Sequence, residues 1–436
     1  MGGSAKRIIA RTISCAVVAA VVLSLPAPAA ADPGDLDPSF DGDGIATTSV
    51  GRAGGGPSAV AVQADGKVIL AGTTGYVDQA FALVRFEADG TLDPTFGDDG
   101  KVVTRFSDPA WAADVATVDG GLIVAGTVGL SEDKAEMLIA RYRPNGALDP
   151  TFAADGTTTI HFNEDAHAEE IALQPDGRII VAGTEYRSGD SRFPLARLAL
   201  ARLTPDGHLD PTFDDDGKVT TAVHGQSSYA SSVVVSSRGI LAVGSMAPHR
   251  AGRLAAVRYT FGGELDQAFS GDGVFVRSLS AERGAATGAT SVAIDDEGRA
   301  VIGAFVFDPD YFTSVVAILR LRTGGSLDHS FADDGILVTS AIHEASAVEI
   351  QADGKIVVAG GICCGGGDEW TYTVARFGPA GRPDPGFGDH GVAFVDYVYD
   401  VHTGPLTDAT LQPDGRIVAV GVSEFSEGFL AVRLLA

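Results

Sequence analysis

A five-residue phrase returns seven times along the chain, and its spacing decides what the chain can fold into. Leu36-Asp37-Pro38-Ser39-Phe40 is followed by Leu92–Phe96, Leu148–Phe152, Leu209–Phe213, Leu265–Phe269, Leu327–Phe331 and Pro383–Phe387, at intervals of 56, 56, 61, 56, 62 and 56 residues. Self-similarity at this period belongs to solenoids, propellers or arrays, each repeat being one unit that buries its apolar face only against its neighbours. It also explains how 436 residues can form one domain, where single-core domains hold roughly 150.

Each repeat carries four strand signals. In the first, Ser58–Gln63 is a short Val-rich run and Asp65-Gly66 a hairpin turn. Lys67–Gly72 is a second apolar run, Phe81–Phe86 a third, and Asp99-Gly100 opens Lys101–Phe106. No segment sustains a helical period. Four antiparallel strands per repeat make a propeller blade. The expected fold is all-β, a seven-bladed β-propeller of four-stranded blades over residues 32–436.

The repeats resemble the delta-60 repeat family, bacterial secreted proteins with units of the form Leu-Asp-Pro-x-Phe … Gln-Pro-Asp-Gly-Lys-Ile-Val-Val-Ala-Gly … Ala-Arg-Phe. The matching stretches include Gln174–Gly183 and Gln412–Val418, and the resemblance covers residues 36–436. A more distant likeness is to NHL-type propellers. The resemblance implies a β-propeller and export, and no established chemistry. Gln267 and Ala268 in the fifth connector, His329 in the sixth, and the fourth turn, Arg238-Gly239, depart from the pattern.

Comparing the copies also shows how the ring should close. Every third strand carries an Arg: Arg85, Arg141, Arg202, Arg258, Arg320, Arg376 and Arg433. The first six are followed eight residues later by the connector Asp, namely Asp93, Asp149, Asp210, Asp266, Asp328 and Asp384. Arg433 has no Asp after it, and Asp37 no Arg before it. Charge-assisted Arg–Asp pairs would tie each third strand to its connector. The two orphans should therefore meet, with Gly44–Val50 as the outermost strand of the last blade.

Residues 1–31 read as a signal peptide. Lys6, Arg7 and Arg11 precede the apolar run Ala16–Leu25, and Ala29-Ala30-Ala31 is a cleavage pattern. The expected location is secreted, with no membrane span, because the run is shorter than the roughly 18–20 residues a span needs. Loss of this segment, with its three basic and no acidic residues, takes the net charge from −26 to −29. That charge argues against nucleic acid as a partner. The remaining cysteines, Cys363 and Cys364, are adjacent, so no disulfide framework is expected.

With this strand order, the Asp-Gly turns and the Leu-Asp-Pro-x-Phe connectors share one face, and the loops that differ between copies share the other. Function belongs on the variable face. Trp111, Trp370, Tyr76, Tyr186, Tyr229 and Tyr311 collect there, with Phe193, His167 and His402. The expected ligand-binding set is Trp111, Tyr311, Trp370, Phe193, His167 and His402. One inner-strand position reads Ala59, Asp114, Glu170, Ser232, Ser291, Ala347 and Asp408. Asp114, Glu170 and Asp408 form a candidate metal set, since carboxylate oxygens suit Ca²⁺ or Mg²⁺. The acidic clusters of the connectors, such as Asp41/Asp43 and Asp214–Asp216, are explained by turn chemistry.

Two functions follow as expectations. The favoured one is an exported, non-catalytic, monomeric propeller, without cofactor, that binds an extracellular protein, glycan or other polymer. The alternative is a metal-dependent, lactonase-like hydrolase with its site at the channel mouth. The first is favoured because no nucleophile–base–orienter set is evident.

Overall fold

The structure, a computed structural model, describes residues 31–51, 54–129, 135–153, 155–187, 195–247, 252–279, 286–308, 313–363, 370–395, 405–423 and 428–436. Asp32–Ala436 form one compact unit. It contains seven four-stranded antiparallel sheets, each a blade running from an inner to an outer strand. In blade one these are Gly55–Val62, Val68–Thr74, Ala80–Phe86 and Lys101–Thr104. Among the described residues the one helical segment is a 3₁₀ turn, Val223–Gly225, and no helix is long and apolar enough to cross a membrane.

The strand sequences follow from where each strand sits. The two middle strands of a blade are covered on both faces by the neighbouring blades, so they are mostly apolar and deeply buried. Ala80–Phe86 is buried at every position. Outer strands such as Lys101–Thr104 reach solvent and mix polar with apolar residues. The core is a set of layers between blades. Ala59, Ile69, Ala71, Phe81 and Leu83 of blade one pack with Val115, Leu122, Val124 and Tyr142 of blade two. Losing one buried connector ring, such as the fully enclosed Phe96, should cost about 3–5 kcal/mol.

All seven Arg–Asp pairs form. Nε to Oδ2 distances are 2.7 Å for Arg85–Asp93 and Arg258–Asp266, 2.8 Å for Arg320–Asp328 and Arg433–Asp37, and 2.9 Å for Arg202–Asp210 and Arg376–Asp384. Arg141 uses Nη2 to reach Asp149 at 2.8 Å. Each guanidinium lies 4.4–5.0 Å from the centroid of its connector Phe ring. Several also donate to a backbone carbonyl in the next blade, as Arg85 Nη1 does to Pro144 O at 2.6 Å. The second Asp oxygen closes the connector turn, Asp93 Oδ1 accepting from Thr95 N at 2.8 Å. One motif therefore builds the turn, holds the strand and joins the blades.

The ring closes through the N-terminal segment. Ile45–Thr48 pairs antiparallel with Phe429–Val432, a shorter strand than the expected Gly44–Val50. Elsewhere the residue after each connector Phe donates its N–H to the next blade's turn, as Gly97 N does to Asn145 O at 2.9 Å. The corresponding acceptor for Gly388 is Pro33 O, also at 2.9 Å, so the N-terminal residues take the place of a turn that the last repeat lacks. The acidic residues before the outer strands serve their turns, Asp43 Oδ1 accepting from Ile45 N and Asp155 Oδ1 from Thr157 N, both at 2.9 Å.

Candidate functional site

Inner strands of six blades carry a β-bulge at one shared position, seen as register shifts at Pro57/Ala59, Ala112/Asp114, Ala168/Glu170, Ala230/Ser232, Ala289/Ser291 and Ala345/Ala347. The extra residue is left out of the ladder and re-aimed. These bulges put Ser58, Ala113, Glu169, Ser231, Thr290 and Ser346 around a central cavity of about 130 Å³, with Thr407 from blade seven.

The residue after each bulge is the position singled out in the sequence, and it reaches sideways. Asp114 Oδ2 accepts from Ile171 N of blade three at 2.8 Å, and Glu170 Oε2 from Val233 N of blade four at 2.7 Å. Ser232 and Ser291 hydroxyls accept from Val292 N and Val348 N, each at 3.1 Å, and Asp408 Oδ2 accepts from Val60 N at 2.8 Å. Blades one and six have Ala59 and Ala347 there, with no acceptor to offer. In the blades that follow them, Asp114 Oδ1 accepts from its neighbour Val115 N at 2.7 Å and Asp408 Oδ1 from Ala409 N at 2.8 Å. Each alanine is thus compensated by an aspartate one blade on, and every bulge amide is paired.

This arrangement accounts for the three carboxylates without a metal. Asp114 and Asp408 each spend both oxygens on backbone N–H groups, and Glu170 also meets the Ser232 hydroxyl. Among the described residues no three His, Cys, Asp or Glu side chains are placed to hold a metal ion together. Burial raises the Asp114 carboxyl to about 6. Burial and the charge of Asp114 push Glu170 and Asp408 well above the usual carboxylate range.

A second element was partly hidden from sequence reasoning. Two positions before the bulge, blades two, three and four present Trp111, His167 and Tyr229, and Tyr186 fills the gap between the last two. The ring centroids are 5.5 Å apart for Trp111–His167, 5.0 Å for His167–Tyr186 and 6.1 Å for Tyr186–Tyr229. The four rings are half-buried and form one row across three blades at the variable-face end of the inner strands. Burial lowers the His167 imidazole, against the pull of Asp165. Glu169, two residues beyond His167, is open to the cavity, but the enclosing walls raise its carboxyl to about 7. Its charge in turn adds to the burial that raises the Tyr186 hydroxyl.

Of the expected ligand set, the structure joins Trp111 to His167. Phe193, Tyr311 and His402 lie outside the described residues, as does Cys364. Trp370 opens an outer-middle strand opposite Cys363, and the side chains of both lie outside what is described. Tyr186 and Tyr229 belong to the row but were not in the expected set. The signal that could have found them is positional, since Trp111, His167 and Tyr229 share one place in successive repeats.

A match to a family model supports the propeller architecture. Segments 63–96, 119–152, 174–213 and 351–387 match the model of the β-propeller domain of unknown function DUF5122. Each match ends on a connector Phe. No curated protein matches the chain. A polysaccharide lyase of family PL25, an ulvan lyase, is similar at a TM-score of 0.43 and 10% identity over 90% of this chain and 94% of that one. A thermostable family-43 glycoside hydrolase is similar at 0.36 and 11% identity over 69% of this chain and 97% of that one. A protein of unknown function from Bacteroides caccae is similar at 0.36 and 11% identity over 69% and 83%.

Proposed function

We propose that this β-propeller repeat protein is an exported binding module that holds a polymer or protein ligand at the channel mouth of its variable face, without performing a reaction of its own. The observation that carries this reading is the row Trp111–His167–Tyr186–Tyr229, beside a cavity to which all seven blades contribute. A ligand site needs a few convergent polar groups next to apolar surface, and this mouth supplies both. The connector face offers near-identical structural turns instead.

The non-catalytic part rests on how the polar groups are used. Ser232 does meet the Glu170 carboxyl, but it is 2% exposed and its oxygen accepts from Val292 N. A nucleophile must reach its substrate, and Ser232 does not. Export rests on the sequence of residues 1–31.

Capture of cell-wall glycan and cell-surface protein fractions tests the reading. Trp111→Ala and Tyr229→Ala should lose the captured material, while Asp98→Ala on the connector face keeps it. Capture that survives both aromatic changes and disappears with Asp98→Ala sinks the proposal.

A further inference from the structure

We propose that the channel mouth recognises an alkylammonium group carried by the ligand, either a quaternary amine or a protonated primary amine. This rests on the mouth-site reading above and names the chemistry the site would take.

Three observations lead there. The first is the sign of the field. Asp114, Glu169, Glu170 and Asp408 line the cavity, and no lining residue is Lys, Arg or His. Glu349 adds its charge to that felt by Asp408. A bound cation would favour the ionised forms of these crowded carboxyls, and an anionic ligand would oppose them.

The second is how the oxygens are committed. A hard ion such as Ca²⁺ takes about 6–8 oxygen ligands at close range. Here both oxygens of Asp114 and of Asp408 and one oxygen of Glu170 already accept backbone N–H bonds. Those bonds hold the carboxylates in fixed places around the cavity. They leave an acidic wall without a coordination shell, which suits a diffuse organic cation held without direct ligation.

The third is the aromatic row. Trp and Tyr faces attract ammonium groups within about 6 Å, and quaternary amines are recognised this way. Trp111, Tyr186 and Tyr229 are half-exposed, and Tyr186 lies close enough to Glu169 to feel its charge. The cavity, about 130 Å³, is smaller than the roughly 300–1,000 Å³ of pockets for drug-sized ligands, and fits a head group.

Calorimetric titration of the full chain with choline, with Nα-acetyl-lysine amide and with the uncharged 3,3-dimethyl-1-butanol tests this. At least one of the two cations should bind about tenfold or more tightly than the uncharged isostere, as expected when the charge itself is recognised. Tighter binding of choline identifies a quaternary amine, and tighter binding of the lysine amide a protein side chain. Glu169→Gln, an open position that leaves the core intact, should weaken the cations several-fold and leave the isostere unchanged. Trp111→Ala, or Tyr229→Ala if the first does not fold, should weaken all three.

Binding of neither cation more tightly than the uncharged isostere overturns the proposal, as does absence of binding by both cations. Cation binding untouched by Glu169→Gln and by the aromatic changes overturns it too. If neither cation binds but polymer capture still depends on Trp111, the ammonium inference falls and the mouth site stands. If capture is independent of Trp111 and Tyr229, the mouth site itself falls.

Discussion

Arg433 Nε lies 2.8 Å from Asp37 Oδ2, joining two residues separated by 396 positions in the chain. The arginine side chain is 1% exposed and the aspartate 5%. Burial works to raise the Asp37 carboxyl, but the Ser39 hydroxyl, Arg416 and Arg433 outweigh it and hold it at about 2. This pair is the same device as the six within the chain, used here to fasten the ring.

Asp37→Ala should therefore destabilise the protein by about 3–5 kcal/mol, because it leaves a buried guanidinium unpaired. Asp149→Ala should cost less, since Arg141 and Asp149 are 19% and 18% exposed. Denaturant unfolding of the two variants side by side checks the order. Equal losses would show that burial does not set the worth of these pairs.

Gly34→Ala should loosen the same seam. Gly34 has φ +93°, and an added Cβ would lie 2.6 Å from Gly388 N. Left-handed strain and the clash together should cost at least about 1–3 kcal/mol. Gly42, at φ +86° with nothing within 4 Å of its Cβ position, has strain without the clash, so Gly42→Ala should melt above Gly34→Ala.

Among the bulge residues, Asp114→Ala should cost more than Ser291→Ala. The aspartate serves two amides, Val115 N and Ile171 N, whereas Ser291 serves Val348 N alone. Each buried donor left unpaired costs about 1–3 kcal/mol. Ala59→Ser, which restores an acceptor in blade one, should reduce the penalty of Asp114→Ala in the double variant, as an unfolding-based double-mutant cycle would show.

Stability should peak in mildly acidic solution. The channel carboxyls are raised on folding, Asp114 to about 6 and Glu169 and Glu349 to about 7, in each case by burial. Their contribution is fully present below the unfolded values near 4 and is lost as pH rises through 6 to 7. The connector aspartates act oppositely. Burial notwithstanding, hydrogen bonds and basic partners hold Asp37, Asp210 and Asp328 at about 2, so their contribution is present above about 4 and lost as pH falls toward 2. Melting temperature should be highest near pH 4–5 and fall toward pH 8. The double variant Glu169→Gln/Glu349→Gln should flatten that fall, and an unchanged slope would remove these groups from the account.

The seven blades and the Arg–Asp ladder were legible in the sequence because each repeat states them again, and misplaced elements would have disagreed with their copies. The closure was legible for the converse reason, since Asp37 and Arg433 each lack a partner in their own repeat. The bulge was not legible. A one-residue register shift leaves no mark on an inner strand such as Asp165–Leu173, where small and polar residues alternate irregularly. Without it Asp114, Glu170 and Asp408 look like ligands converging on the axis, and the structure turns them toward neighbouring amides. The aromatic row needed strand register as well as position, because Tyr186 joins it from a different strand than Trp111, His167 and Tyr229.

The seam also fixes an order of events. Within a blade almost every bond is between residues near in sequence, so blades can form as they are synthesised. Asp37 cannot find its partner until Arg433 is made, and Ile45–Thr48 has no sheet to join before Phe429–Val432 is made. Until then the molecule is an open arc with two raw edges, one at each end of the row of blades. Joining those edges closes the ring, and the open edges are where two copies held close together could exchange strands.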